Sequence, residues 1–101
     1  MKVDILEHAK LEIDDAFEYY NLQQDGLGIS FKNDVKTSID RIVKLPELYP
    51  KASDNIRRSL LHRFPYSIFY TLLKDRILIL AIAHQSRKPF YWVEHYTNEH
   101  V

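Results

Sequence analysis

The run Ile77-Leu78-Ile79-Leu80-Ala81-Ile82-Ala83 is apolar at odd and even positions alike. Successive side chains of a strand point to opposite faces, so a strand of this composition needs cover on both. It belongs at the centre of a sheet, and the remaining chain must supply the coverings. The run leads directly into His84-Gln85-Ser86-Arg87-Lys88-Pro89-Phe90-Tyr91-Trp92, which brings cations, an imidazole and aromatic rings to one edge of the fold. Such a cluster can bind phosphate, stack bases or close a hydrophobic core.

Two helices are legible as cover. After a short alternating segment, Lys2 to Leu6, read as a first strand, Ala9, Ile13, Ala16, Phe17 and Tyr20 recur at helical spacing from about Glu7 onward. Glu12, Asp14, Asp15 and Glu18 fall on the other faces of that helix. Asp25-Gly26-Leu27-Gly28 breaks it, and Phe31, Val35, Ser38, Ile39, Ile42 and Leu45 form the stripe of a second helix, with Lys32, Asp34, Lys36 and Arg41 outside. Pro46 ends it, and Pro46-Glu47-Leu48-Tyr49-Pro50 reads as a connecting loop. The short linker between the helices predicts an antiparallel hairpin.

Past Ser53-Asp54 the period shortens to that of strands. Ile56 to Arg63 reads as one; Tyr66, Ile68, Tyr70 and Leu72 alternate with Ser67, Phe69, Thr71 and Leu73 in another; Ile77 to Ala83 is the last. Lys74-Asp75-Arg76 between the final two predicts a tight antiparallel hairpin. The order is β-α-α-β-β-β, an α+β fold with a helical hairpin packed on a small, mainly antiparallel sheet. At 101 residues the chain is expected to form a single domain spanning residues 1–101.

Charge is balanced overall but not along the chain. Residues 1–50 carry 6 Lys+Arg against 10 Asp+Glu, and residues 51–101 carry 8 against 4. Arg57, Arg58, Arg63, Arg87 and Lys88 are the candidate target- or nucleic-acid-binding group, since arginine forks match phosphate oxygens and lysine acts as a point charge. Arg76 lies in the same basic half. Tyr66, Tyr70, Phe90, Tyr91 and Trp92 offer rings for base stacking, although Tyr66 and Tyr70 share one strand face, where packing is the commoner use. His84, at the end of the apolar run, is a candidate acid or base, or a histidine hydrogen-bonded to backbone or to Tyr91. Arg87, taken as buried, calls for an anionic partner such as Glu7.

Other chemistries are not expected. Zero cysteines exclude thiolate ligands and suit a reducing compartment. His8, His62, His84, His95 and His100 form no helical i, i+4 pair, so no metal or other cofactor is expected. Neither a nucleophile elbow nor a phosphate-cradling glycine loop is present. No secretory segment opens the chain and no apolar run approaches membrane-spanning length, so a cytoplasmic location without membrane contact is the expectation.

In this order, Ala16-Phe17-Glu18-Tyr19-Tyr20, Gly26-Leu27-Gly28 with Phe31, Pro46 to Pro50, Ile56-Arg57-Arg58, Phe64 to Tyr70, and His84-x-x-Arg87-x-Pro89-x-Tyr91-Trp92 together resemble the RelE/ParE superfamily of toxins from type II toxin–antitoxin, or plasmid stabilisation, systems. The resemblance spans nearly the whole chain. It implies the same β-α-α-β-β-β fold, growth inhibition by the free protein, and neutralisation by a small cognate antitoxin. RelE relatives cut mRNA on the ribosome with arginines, lysines and a C-terminal tyrosine, whereas ParE relatives inhibit DNA gyrase. Arg87 and Tyr91 match part of the nuclease set, and Arg87, Tyr91 and His84 would be the catalytic residues only if the protein is a nuclease. Ser67, however, stands where RelE-like nucleases carry an arginine, and loss of a cation at a developing phosphate charge costs several kcal/mol. The preferred expectation is a toxin that binds and blocks a macromolecular target, with DNA gyrase favoured. A ribosome-dependent mRNA interferase is the alternative, and a non-toxic antitoxin-binding or regulatory module the third.

Overall fold

A computed structural model describes residues 1–88 and 91–93. Pro89, Phe90, His95 and His100, named above as motif, stacking or ligand candidates, lie outside the described residues. The elements are β1 (Lys2–Ile5), α1 (Glu7–Gln23), α2 (Leu27–Lys44), β2 (Lys51–Ser53), β3 (Ile56–Leu60), β4 (Tyr66–Leu72) and β5 (Arg76–His84). The strands form one five-stranded sheet in the order β1-β5-β4-β3-β2. β1 runs parallel to β5, and every other pairing is antiparallel. The α+β architecture read from the sequence is thus present, with one strand added. No helix among the described residues is long and apolar enough to cross a membrane.

The doubly apolar strand is central, as its composition requires. Ile77, Ile79 and Ile82 join the helix-side core with Ala9, Ala16, Phe31, Val35, Ile42, Ile68 and Tyr70. Leu78, Leu80 and Ala81 join Trp92 in a smaller core on the other face. Phe69 pairs with Ala81 while Tyr70 pairs with Ile79, which leaves Leu80 as an extra residue in β5. This bulge puts Leu80 and Ala81 on one face in succession and flips the hydrogen-bonding phase of the strand beyond them.

α1 and α2 are antiparallel, and Gly28 sets how closely they meet: an added Cβ would stand 2.5 Å from the Phe17 carbonyl oxygen. Gly26 turns the chain at φ 86°, and the Asn21 side-chain oxygen accepts the Gly26 and Gly28 amides at 3.2 and 3.1 Å, capping α2 from the neighbouring helix. Gly28 therefore lies inside α2 rather than in a linker. Leu45, read as the end of the apolar stripe, is exposed after the last helical residue.

The strand region departs from expectation at three points. The segment after Pro50 forms the short edge strand β2, too brief for an alternation pattern to register. β3 stops at Leu60 rather than Arg63, because Asp34 of α2 accepts the backbone amides of His62 and Arg63 at 3.3 and 2.8 Å and holds that stretch as a turn. Asp34 is consequently buried and not on a solvent face. The final hairpin closes through the Leu73 amide on the Arg76 carbonyl, so Arg76 is the first residue of β5.

Candidate functional site

The sheet pleat distributes the cations. Arg57 pairs with Tyr70 and Arg58 with Phe69, so adjacent arginines point to opposite faces. On the helix side, Arg57 donates to the Glu47 and Tyr49 carbonyls at 3.0 and 2.6 Å, and Tyr70 donates to the Pro46 carbonyl at 2.6 Å. These bonds fasten the Pro46–Pro50 loop. Burial, partly offset by Arg57, pushes the Tyr70 phenol up to about 12, so it stays a donor.

On the open face lies a cleft of about 390 Å³. Ser67, Phe69, Ala83 and Trp92 line its interior, while Lys51, Arg58, Arg87 and Lys88 bring four cations around it. His84 and Tyr91 complete the wall that follows β5. Lys51 escaped the sequence reading because its place depends on β2. Of the five basic residues grouped from the sequence, the cleft collects Arg58, Arg87 and Lys88. Arg57 is spent on the loop, and Arg63 sits exposed in the β3–β4 turn. Arg76 is 3.1 Å from Asp4 across the β1–β5 pair.

The rings are used for packing. Tyr66 sits among Tyr20, Phe31 and His84 with centroids 4.9–6.2 Å away, and burial followed by the neighbouring Tyr20 raises its phenol to about 12. Trp92 is 0% exposed and lies 5.4 Å from Phe69. Tyr70 and Trp92 are fully buried and offer no face to a nucleobase, and Tyr66 is half-buried among its ring neighbours.

His84 is oriented by its own turn. Nδ1 accepts the Ser86 backbone amide at 3.0 Å and lies 2.8 Å from the Ser86 hydroxyl, so the neutral ring carries its proton on Nε2. Nδ1 is therefore engaged by the Ser86 amide and hydroxyl and not by Tyr91.

Arg87 is exposed, contrary to the expectation of a buried guanidinium. Its Cζ lies 3.9 Å from the Tyr91 ring centroid, a cation–π contact. Glu7 instead pairs with Lys10 at 3.2 Å, and the acid near Arg87 is Glu12. Tyr91 donates its hydroxyl to Glu12 Oε2, while Oε1 accepts the Ile82 amide at 3.0 Å and lies 3.4 Å from His8 Nε2. Glu12 falls off the apolar stripe of α1, yet its side chain is only 14% exposed. Burial pushes its carboxyl up to about 7, against the lowering effect of the Ile82 amide and Arg87. A helical wheel cannot reveal this, because the groups Glu12 meets come from a strand edge and from a segment 79 residues away.

Chemically, four cations around a partly apolar concavity can attract an anionic group. Of the two acid–base candidates on the cleft wall, His84 and Tyr91, the phenol is already engaged by a carboxylate.

Comparison with known proteins bears on the fold and the family. Comparison with curated proteins yields no match. Among solved structures, one described as a chromosomal ParDE toxin–antitoxin system from P. aeruginosa superposes with a TM-score of 0.68 at 18% identity, covering 83% of this chain and 95% of that one. At that identity the likeness speaks for the fold alone. The family model for the ParE toxin of the type II toxin–antitoxin system parDE matches residues 3–89, most of the chain and nearly every element from β1 to the basic turn after β5. The chain belongs to the ParE toxin family of type II toxin–antitoxin systems.

Proposed function

We propose that this protein is a growth-inhibiting toxin that acts in the cytoplasm by binding a nucleic-acid-handling target, DNA gyrase being the preferred one, through its open-face cleft. The observation that carries this reading is the state of Tyr91: its hydroxyl is given to Glu12, a residue that does not line the cleft. Together with Ser67 in place of a cation, this leaves Arg58, Arg87, Lys88 and Lys51 to attract an anionic surface without a complete set for phosphate cleavage. A cognate antitoxin neutralises it. The exposed Leu11, Leu22 and Ile29 on the helical hairpin and the short edge strands β1 and β2 are the surfaces that suit an added helix or strand, with acidic side chains reaching Arg58 or Arg87.

The test is a gyrase supercoiling assay with the purified chain, run beside a translation extract. Dose-dependent loss of supercoiling, relieved by the antitoxin, is expected. An unaffected gyrase overturns the preferred target, and discrete codon-phased cuts in ribosome-bound mRNA would replace it with the interferase reading built on Arg87, Tyr91 and His84.

A further inference from the structure

The bulge at Leu80 creates a need that Glu12 meets. β1 ends at Ile5, opposite Ile79, so the flipped phase beyond the bulge turns the Ile82 amide toward an edge where the described residues place no strand to receive it. Glu12 Oε1 receives it, reaching across from α1. The other oxygen of the same carboxyl takes the Tyr91 hydroxyl, and the Arg87 guanidinium carbon stands 3.9 Å from the Tyr91 ring centroid. The next residue, Trp92, is driven into the small core against Phe69. One carboxyl on the helix side thus ties down the segment that forms a wall of the cleft on the opposite face.

We propose that Glu12 is a positioning residue of the cationic cleft, anchoring Tyr91 and through it setting where the Arg87 guanidinium stands. The proposal rests on the reading of that cleft as the target-binding surface. Several ionisable groups share the surroundings of Glu12: His8, Asp15 and Tyr19 from α1, Tyr66 from β4, His84 from the end of β5, and Arg87 and Tyr91 beyond it. Because burial holds the Glu12 proton to about pH 7, the carboxyl gains its charge near neutrality. That charge draws Arg87 inward and offsets part of the cleft's positive potential.

Geometry and charge predict opposite outcomes for two substitutions, and this separates positioning from simpler roles. Glu12→Gln keeps an acceptor for Ile82 and a polar partner for Tyr91 but removes the charge. Glu12→Ala removes the anchor as well. The probe is inorganic sulfate, which does not titrate between pH 5 and pH 8 on the order of these measurements, followed by chemical-shift titration of the full chain. At pH 8, Glu12→Gln is expected to bind sulfate about threefold more tightly than the parent and Glu12→Ala about tenfold more weakly. Emission of Trp92, the single tryptophan of the chain, is expected to shift to the red only in Glu12→Ala. The parent's affinity is expected to rise as pH falls through 7, with that dependence lost in Glu12→Gln.

Both variants strengthening sulfate binding would mean charge alone matters, and both weakening it would mean general destabilisation; either overturns the proposal. A pH profile that survives in Glu12→Gln would assign it to a group other than Glu12 and do the same. Should Glu12→Ala fail to fold, Tyr91→Phe deletes the same hydrogen bond from the other side, and unchanged sulfate affinity there is fatal. If the sulfate results hold while the parent leaves gyrase untouched, the target reading fails and the role of Glu12 stands.

Discussion

The two faces of the sheet treat the same residue types in opposite ways. On the helix side, polar groups are consumed by structure: Arg57 and Tyr70 hold the loop before β2, and Asp34 holds the turn after β3. On the open face the covering is partial. Trp92 closes a small core over Leu78, Leu80 and Ala81, and the remainder stays a cleft bordered by cations. Arg57 and Arg58 are neighbours in sequence and divide between these fates. A basic residue is available to a partner only where the fold has left its face uncovered and its donors unspent.

The contrast can be broken most forcefully at Phe31, which is fully buried among Tyr20, Phe64 and Tyr66. Phe31→Ala is expected to cost about 4 kcal/mol in urea unfolding through the cavity it leaves. A loss under about 1 kcal/mol would show that the helix side is not the stabilising face.

The next test concerns the residue that joins the faces. The unfolded chain releases the Glu12 proton near the ordinary value of 4.5, whereas the folded protein holds it to about 7. Between those values the folded state binds the extra proton, so this contribution is full below about 4.5, declines as pH rises and is gone above about 7. After allowance for residual solvent contact, the decline is about 2 kcal/mol. Glu12→Gln is expected to flatten that part of the stability profile and to be the more stable protein at pH 8. Parallel profiles for the two proteins would remove Glu12 as the cause.

The smallest and most specific effect separates the adjacent arginines. Arg57→Ala is expected to cost about 1.5 kcal/mol of stability, since it strips partners from two loop carbonyls. Arg58→Ala is expected to change stability by less than about 0.5 kcal/mol while weakening inhibition of the target severalfold. Equal stability losses would mean that the pleat does not divide them.

Much of the fold was legible because its signals are local. The double apolarity of Ile77 to Ala83 demanded a central strand, the stripes through Ala16 and Phe31 demanded helices, and the Tyr66-to-Leu72 alternation assigned faces correctly. β2 was not legible, being only three exposed residues paired at an edge. Neither were Asp34 and Glu12 as interior acids, because periodicity scores the helix that carries a residue and says nothing of the backbone amides docked against it. The candidate site was half visible: Arg58, Arg87, Lys88, His84 and Tyr91 could be named, but not that Arg57 and Arg63 stand apart or that Lys51 joins them.

By itself, then, the sequence determined the two helices, four of the five strands and which strand is central, since these follow from the spacing of apolar side chains along a few turns or residues. Tertiary structure decided which cations meet, which phenol is engaged and which acid keeps its proton near neutrality. Those properties depend on distances between segments far apart in the chain and on how completely water is excluded between them. Glu12 and Tyr91 are 79 positions apart in sequence and in contact in the fold.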